Sequence, residues 1–315
     1  MDGPHSAPAP VPFGTMDVLY ATCAHLPEPD PDQAPTVAAL EALGLSVAVR
    51  GWDDPSARWD DGRLVLPRAT WTYPWAVDAF RAWIDAVSAT TPLLNPPDVL
   101  RWNLHKGYLL DLVDAGVPVT PTALLRAGDP TSLDALLAAR GWDEVVVKPA
   151  VSGGSFRTLK VTDENRDAGR AHLADLVAER DVLVQPYLRS VEGHGERSLI
   201  WVDGALTHAI RKNPRFQGDE ENVSTSAVPI DPAEAAVADA AIAAARRLVP
   251  GASDLLYARV DVAPDAGGRF VLMELELIEP SLFFPQGPAG AVRFAEAVAR
   301  RLAAGPSAGQ GLLSV

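Results

Sequence analysis

Apolar residues along the first hundred positions follow two alternating patterns. Short runs rich in Val, Leu and Ala predict strands, and apolar residues at helical spacing predict helices. The predicted strands span 17–23, 45–52, 62–71 and 91–95, and the predicted helices span 31–44 and 73–89. Strands separated by helices of this length are typical of a parallel sheet with helices on its faces, so we expect an α/β domain over 16–117. Neither a GxGxxG pattern nor a P-loop follows any of these strands, so dinucleotide and P-loop sites are not indicated.

The pattern changes after Gly116, where some consecutive predicted strands follow each other without a helix between them. Residues 118–188 form one predicted unit, with strands at 144–150, 157–162 and 181–188 and helices at 132–140 and 165–178. Residues 189–304 form another, with hairpins at 197–212 and 257–280 and helices at 231–249 and 290–303. The fold class we expect is therefore α/β with an α+β second half. The Pro- and Ala-rich segment 1–15 predicts a disordered tail, and 305–315 predicts a mobile end.

The composition narrows the class of protein. Of the residues, 48% are hydrophobic, which is typical of a globular chain. No apolar run reaches the roughly 18 residues that a membrane span requires, and the first residues lack the features of a signal peptide. Cys23 is the only cysteine, as expected in a reducing cytoplasm. The formal net charge of −14 argues against a nucleic-acid-binding surface.

Lysine is rare in this chain. Of 27 basic residues only Lys106, Lys148, Lys160 and Lys212 are lysine, and the others are arginine. A compact ammonium differs from a guanidinium mainly where a phosphate is met as a point charge, so the lysines are candidates for phosphate contacts. The alternative is that each lies on a solvated face.

Two acidic residues share one face of the strand predicted in 269–280. Glu274 and Glu276 alternate with apolar residues, which places their Cα atoms about 7 Å apart on the same side of the strand. The apolar sequence that follows indicates a cleft position, where adjacent carboxylates repel and a divalent cation relieves them. Asp261, on the other strand of the hairpin, would complete an oxygen-rich set that suits Mg²⁺. A solvated acidic edge is the alternative.

A lysine also ends a buried strand in "EVVVKPAVSGGSF" (144–156). Lys148 precedes a Ser- and Gly-rich loop whose backbone can approach a ligand closely. With the distant carboxylates, this arrangement predicts a nucleoside triphosphate held without a P-loop, with the lysine and loop amides on the phosphates. Taken alone, the loop would be an ordinary hairpin turn.

The order of these motifs resembles that of the ATP-grasp superfamily. The resemblance runs from about 103 to 285 through Lys106, "VVVKPAVSGGSF", "LVQPYL", "IRK", "ARVDV" and "MELELIEPSLF". Within the superfamily, "ATWTYPW", "LLNPPDVLRWN" and "ELELIEPSLF" are similar to the cyclo-ligase of cycloserine biosynthesis and its actinobacterial relatives. The resemblance implies two lobes, 118–188 and 189–304, that enclose ATP and follow an N-terminal domain. Many ATP-grasp enzymes carry Glu-x-Asn where this chain has Glu-Leu-Glu.

The resemblance also implies roles for individual residues. The catalytic residues are Arg211 and Lys148, and the Mg²⁺ ligands are Asp261, Glu274 and Glu276. The ATP-binding residues are Lys106, Lys148, Ser152, Gly153, Gly154, Ser155, Gln185, Tyr187, Leu188 and Glu192, with Glu196 as the alternative to Glu192 for the ribose. The candidate substrate contacts are Arg68, Trp71, Arg259 and Ser281.

The implied function is ATP-dependent carbon–nitrogen ligation. A substrate carboxylate becomes an acyl phosphate, and a nitrogen nucleophile then displaces phosphate. The nitrogen would belong to the same amino-acid-like molecule, as when O-ureido-D-serine closes to cycloserine. Intermolecular amide ligation is the first alternative, and a nucleotide-binding module without catalysis is the second. A homodimer is a further expectation from similar enzymes.

Overall fold

The computed structural model describes residues 16–154, 156–213 and 222–305. The predicted tail at 1–15, Ser155 of the glycine loop and residues 306–315 lie outside the described residues. Within the described ranges, no helix is both long enough and apolar enough to cross a bilayer.

The first sheet is parallel and has the strand order β2–β1–β3. Its strands are β1 (Val18–Thr22), β2 (Val47–Gly51) and β3 (Val65–Ala69). The helices of this region are α1 (Gln33–Glu41), α2 (Val77–Ser88), α3 (Pro97–Asn103) and α4 (Tyr108–Asp114). β1 and β3 are buried along their whole length, as their apolar sequences require. The strand predicted at 91–95 is reduced to a single bridge between Leu93 and Val65.

The second sheet is antiparallel and has the order β4–β7–β5–β6. Its strands are β4 (Ala123–Leu125), β5 (Val145–Pro149), β6 (Leu159–Val161) and β7 (Val182–Pro186), and its helices are α5 (Leu133–Arg140) and α6 (Arg166–Val177). Ser132 caps α5 through its side chain, and Gly141 ends it with a φ of +65°. The apolar face of the sheet packs on α5 and α6, which leaves the other face for a neighbouring element.

The third sheet is antiparallel with the order β10–β9–β8–β11–β12. Its strands are β8 (Glu196–Val202), β9 (Ala205–Asn213), β10 (Asn222–Val223), β11 (Tyr257–Pro264) and β12 (Phe270–Glu276). The helices of this region are α7 (Ser190–Gly193), α8 (Pro232–Leu248) and α9 (Pro288–Ala304). The hairpin predicted at 197–212 is formed by β8 and β9 and turns at Asp203–Gly204, where both residues have the positive φ of a tight hairpin turn. Each sheet falls within one of the units expected from the sequence, and the boundaries of those units remain a prediction.

The strand that carries the paired glutamates is tied to α3 and α4 by side-chain hydrogen bonds. Asn103, the last residue of α3, donates to Leu275 O at 2.8 Å and accepts from Leu277 N at 2.7 Å. The Tyr108 hydroxyl accepts from Leu275 N at 3.0 Å. These buried bonds fix β12 against α3 and α4, and so they fix the direction in which its acidic side chains point.

Candidate active site

A cavity of about 250 Å³ lies between the second and third sheets. Its wall comes from both sheets and from the loop after β5. The polar residues that line it are Lys106, Thr120, Lys148, Ser152, Thr158, Gln185, Glu196, Lys212, Asn213, Arg259, Asp261, Glu274 and Glu276. Lysines and carboxylates predicted from distant parts of the sequence therefore meet in one pocket.

The register of β11 and β12 places the expected metal ligands together. Asp261 is opposite Glu274 in the ladder, and Glu276 is two residues further along the same face. Asp261 is 2% exposed and accepts from Lys212 Nζ at 3.0 Å and from Arg259 Nη2 at 2.9 Å. The pairing of these strands was predicted from the sequence, and its register is what brings the carboxylates together.

Each of these carboxylates is ion-paired. Lys106 pairs with Glu274, Arg259 with both Asp261 and Glu276, and Lys212 with Asp261. Burial would raise the pKa of Asp261, but Arg259 and Lys212 hold that pKa well below its usual range. Burial likewise opposes ionisation of Glu274, and Lys106 and Lys148 still lower its pKa.

Glu276 carries the excess negative charge of the group. Burial raises the pKa of Glu276 to about 8, against the effect of Arg259 and with the help of the Glu274 and Asp261 carboxylates. A carboxyl group with such a pKa is held in the charged form when a divalent cation binds beside it. The oxygen donors and the surplus charge fit Mg²⁺. Among the described residues, no set of three or more acidic, His or Cys side chains is already arranged around a common point. The metal assignment therefore remains a prediction.

The two lysines expected to contact the ATP phosphates, Lys106 and Lys148, differ in their ion pairs. Lys106 is 8% exposed and bound to Glu274, whereas Lys148 forms no ion pair within the described part of the chain. Burial lowers the pKa of Lys148, although Glu274 opposes the shift, and Lys106 lowers it further. Ser152, Gly153 and Gly154 line the cavity beside it. Lys148 therefore presents an unpaired ammonium to the cavity, which an anionic ligand would stabilise.

The predicted hinge residues lie at the end of β7 and line the same cavity. Gln185 donates to Thr122 Oγ1 at 2.9 Å, and the Tyr187 hydroxyl donates to Glu192 at 3.0 Å. Lys160 Nζ lies 3.6 Å from the centroid of the Tyr187 ring and pairs with Glu192. All four lysines of the chain are thus in the pocket or at its rim.

The two candidates for the ribose contact occupy different places. Glu196 lines the cavity and pairs with Lys212, and burial raises its pKa. Glu192 is outside the lining set, where it pairs with Lys160 beside Tyr187. Which of the two contacts the ribose stays a prediction. Glu192 lies beside Tyr187 of the hinge, and Glu196 lies inside the cavity.

The structure places Arg211 outside the lining of the cavity, so it does not support the contact with the transferred phosphoryl group that the resemblance implied. Successive residues of a strand point to opposite faces, and on β9 it is Lys212 that faces the cavity. Arg211 instead donates to the carbonyls of His194 and Gly193, at 2.8 and 2.6 Å. Lys212 and Arg259 are the basic groups that the pocket offers in its place.

We therefore expect Arg211→Ala to leave kcat/KM within about threefold of the unchanged protein, as for a residue outside the site. Lys212→Ala should lower it at least roughly tenfold, because Asp261 and Glu196 lose a shared cation. The comparison is made by ADP release at saturating Mg²⁺. Equal losses in the two variants would restore the role first expected for Arg211.

Two of the expected substrate contacts, the buried Arg68 and the half-buried Trp71, lie outside the lining of the cavity. Arg68 is 1% exposed, donates to Pro280 O at 2.8 Å and stacks 4.6 Å from the centroid of the Tyr257 ring. Trp71 donates through Nε1 to Glu279 O at 3.0 Å. Both side chains hold the backbone that follows β12, and their role as substrate contacts remains a prediction. Ser281 lies half-buried in that same segment, outside the lining, whereas Arg259 lines the cavity. Their roles as substrate contacts likewise remain predictions.

Sequence reasoning assigned Lys212 no role beyond that of one of four candidate phosphate contacts, and it assigned Glu279 none. Lysine scarcity and strand alternation together could have identified Lys212. Glu279 was part of the quoted motif, but no local pattern distinguishes a buried carboxyl group from an exposed one.

Comparison with known proteins gives the site a family. A profile described as "D-cycloserine synthetase DcsG, N-terminal domain" matches residues 18–95. The cycloserine biosynthesis protein DcsG of Streptomyces lavendulae is 35% identical over 286 residues, which cover 87% of this chain and 94% of that protein. A crystal structure of D-cycloserine synthetase DcsG matches with a TM-score of 0.82 and 34% identity, over 90% of this chain and 99% of that one.

More distant structures agree in fold. D-alanine–D-alanine ligase from Bacillus anthracis, solved with ATP, matches with a TM-score of 0.64 and 13% identity, over 92% of this chain and 98% of that one. This likeness bears on the fold alone, and it confirms the ATP-grasp architecture expected from the motifs. Because the sequence identity to DcsG is 35% over most of both chains, this protein belongs to the DcsG family of ATP-grasp ligases.

Proposed function

We propose that this ATP-dependent carbon–nitrogen ligase joins a carboxylate and a nitrogen of one amino-acid-like molecule to form a ring, with O-ureido-D-serine as the candidate substrate. The observation that carries the proposal is the identity of 35% to DcsG across 87% of the chain. The chemistry is supported by the pocket, where Lys106 and Lys148 line the same cavity as the carboxylates of the third sheet.

The residues present suggest how the first step is assisted. Lys106 and Lys148 would hold the ATP phosphates, and Asp261, Glu274 and Glu276 would hold Mg²⁺, which neutralises phosphate charge. The substrate carboxylate attacks the γ-phosphorus, the bond to ADP breaks, and an acyl phosphate forms. The side chains that face the cavity supply position and charge and form no covalent bond.

The second step transfers the acyl group to nitrogen. The nucleophilic nitrogen attacks the acyl carbon, loses its proton, and phosphate leaves. Arg259, between Asp261 and Glu276, and Lys212 are placed to stabilise the negative charge on the carbonyl oxygen and the departing phosphate. Cyclisation gains from having both reacting groups in one molecule, because the ends need not be brought together from solution.

Intermolecular amide ligation uses the same ATP half of the site and remains the alternative enzymatic function. The likeness to D-alanine–D-alanine ligase concerns the fold and does not favour it. A module that binds nucleotide without catalysis is opposed by the presence of Lys106, Lys148 and all three carboxylates in one pocket. A homodimer stays a prediction from similar enzymes.

The experiment is a measurement of ADP release with Mg²⁺ and a panel of carboxylates, followed by mass spectrometry of the products. We expect O-ureido-D-serine alone to give ADP and a cyclic product. ADP release only when two amino acids are present together would favour the intermolecular alternative. Nucleotide binding without substrate-dependent ADP from any member of the panel would favour the non-catalytic module.

A further inference from the structure

Glu279 lies beside the nucleotide pocket without belonging to the expected metal group. It is the third residue after β12, and 9% of it is exposed. A methyl group placed on Gly153, in the loop that lines the cavity, would lie 4.0 Å from Glu279 Oε1. Lys106 and Glu274 are near enough to affect its pKa. The Glu279 carboxyl group is therefore at the phosphate end of the pocket, away from the hinge of Gln185–Leu188.

This carboxyl group differs from the others of the site in its partners. Asp261, Glu274, Glu276 and Glu196 each pair with a lysine or an arginine. Within the described ranges, Glu279 forms no ion pair, and the polar group that most lowers the pKa of its carboxyl group is the Tyr73 hydroxyl. A buried carboxylate without a cation is costly, and burial accordingly raises the pKa of Glu279 to about 7.

The backbone on either side of Glu279 is fixed by hydrogen bonds from side chains of other elements. Tyr257 donates to Ile278 O at 2.7 Å, and Trp71 donates to Glu279 O at 3.0 Å. Arg68 donates to Pro280 O, and the buried Asp32 accepts from the amides of Leu282 and Phe284. Such a supporting shell keeps a side chain in place for a ligand at the expense of local stability.

We propose that the Glu279 carboxylate binds the ammonium group of the amino-acid-like substrate. The inference rests on the proposed function, in which the substrate carboxylate must approach the γ-phosphate at this end of the pocket. An α-ammonium group is one carbon from that carboxylate, and Glu279 supplies the missing opposite charge. Arg68 and Trp71 are then positioning residues for Glu279.

The test is Glu279→Gln, which keeps the size of the side chain and removes its charge. We expect the KM for O-ureido-D-serine to rise about 10- to 100-fold, as for the loss of a charge-assisted hydrogen bond, with the KM for ATP unchanged. The matched control is Glu296→Gln, an exposed residue of α9 that loses the same charge and should leave both constants unchanged. On the unchanged protein, an analogue with hydroxyl in place of the α-ammonium group should bind as weakly as the substrate binds to Glu279→Gln.

Binding in the presence of a non-hydrolysable ATP analogue separates this inference from the proposed function. Turnover with a KM unaltered by Glu279→Gln would overturn the inference and leave the ligase function intact. If no substrate gives ADP, the proposed function fails. Calorimetric binding of O-ureido-D-serine that needs its ammonium group and is lost in Glu279→Gln would then still support the role of Glu279. If no such binding is measured, the proposed role of Glu279 is overturned together with the proposed function.

Discussion

Glu274→Gln should reduce turnover at least roughly 10³-fold while the protein stays folded, since the substitution removes one Mg²⁺ ligand and keeps the volume of the side chain. Glu274 is opposite Asp261 across the β11–β12 ladder and pairs with Lys106, so it is at the junction of metal and phosphate. Loss of its charge weakens the metal site and leaves the Lys106 ammonium without its nearest partner. The measurement is kcat for ADP release as a function of Mg²⁺ concentration.

The same variant distinguishes a lost ligand from general damage. ATP affinity in EDTA should change little, because the phosphate contacts of the lysines remain, whereas the Mg²⁺ concentration for half-maximal activity should increase. Glu296→Gln again supplies the matched loss of one negative charge. Near-normal activity of Glu274→Gln at low Mg²⁺ would remove Glu274 from the metal site.

Strand alternation explains both the success and the failure of the sequence prediction for the pocket. On β12, Glu274 and Glu276 flank the buried Leu275, so their common face could be predicted directly from the sequence. On β9, Arg211 and Lys212 are adjacent basic residues, so the choice between them depends on which face meets the pocket. That choice follows from the pairing of Lys212 with Glu196, a contact between strands that no local pattern encodes.

Arg68 and Trp71 illustrate a different limit. Residues at the carboxyl end of a parallel strand commonly line a ligand site; Arg68 is the penultimate residue of β3, and Trp71 follows that strand. In this protein the edge of the first sheet is covered by the segment after β12, which is more than two hundred residues away in the sequence. An arginine that holds a backbone carbonyl and one that holds a substrate carboxylate look alike in sequence. Only the tertiary structure separates them.

The distribution of lysine was more informative than its local context. Lys160 is on a short edge strand and would pass for a surface residue, yet its ammonium lies over the Tyr187 ring at the hinge. Lys212 is 7% exposed in a chain of which most basic residues form surface pairs. A point charge suits phosphate and the face of an aromatic ring, and this chemistry is a physical reason for retaining lysine where arginine is otherwise preferred.

Lys148→Met should weaken ATP binding at least about 100-fold and should also leave the ligand-free protein as stable as before, or more stable. Lys148 has no ion pair among the described residues, and burial lowers its pKa, so its charge is unfavourable in the folded protein without ligand. A lowered pKa in the folded state means that the charged form costs stability at neutral pH, and the neutral methionine removes that cost. Bound ATP reverses the balance, because the phosphates supply the missing negative charge.

The two expected changes therefore have opposite signs, and this separates a binding role from a structural one. Calorimetry should show the loss of ATP affinity with the affinity for O-ureido-D-serine little changed, and thermal unfolding should show no loss of the midpoint without ATP. Lys160→Met is the matched control, with a smaller loss of ATP affinity, since Lys160 is at the rim and shares its charge with Glu192. Unchanged ATP affinity in Lys148→Met would exclude the phosphate contact. A lower midpoint without ATP would mean that the ammonium supports the fold, and the unpaired charge would then not be held for the nucleotide.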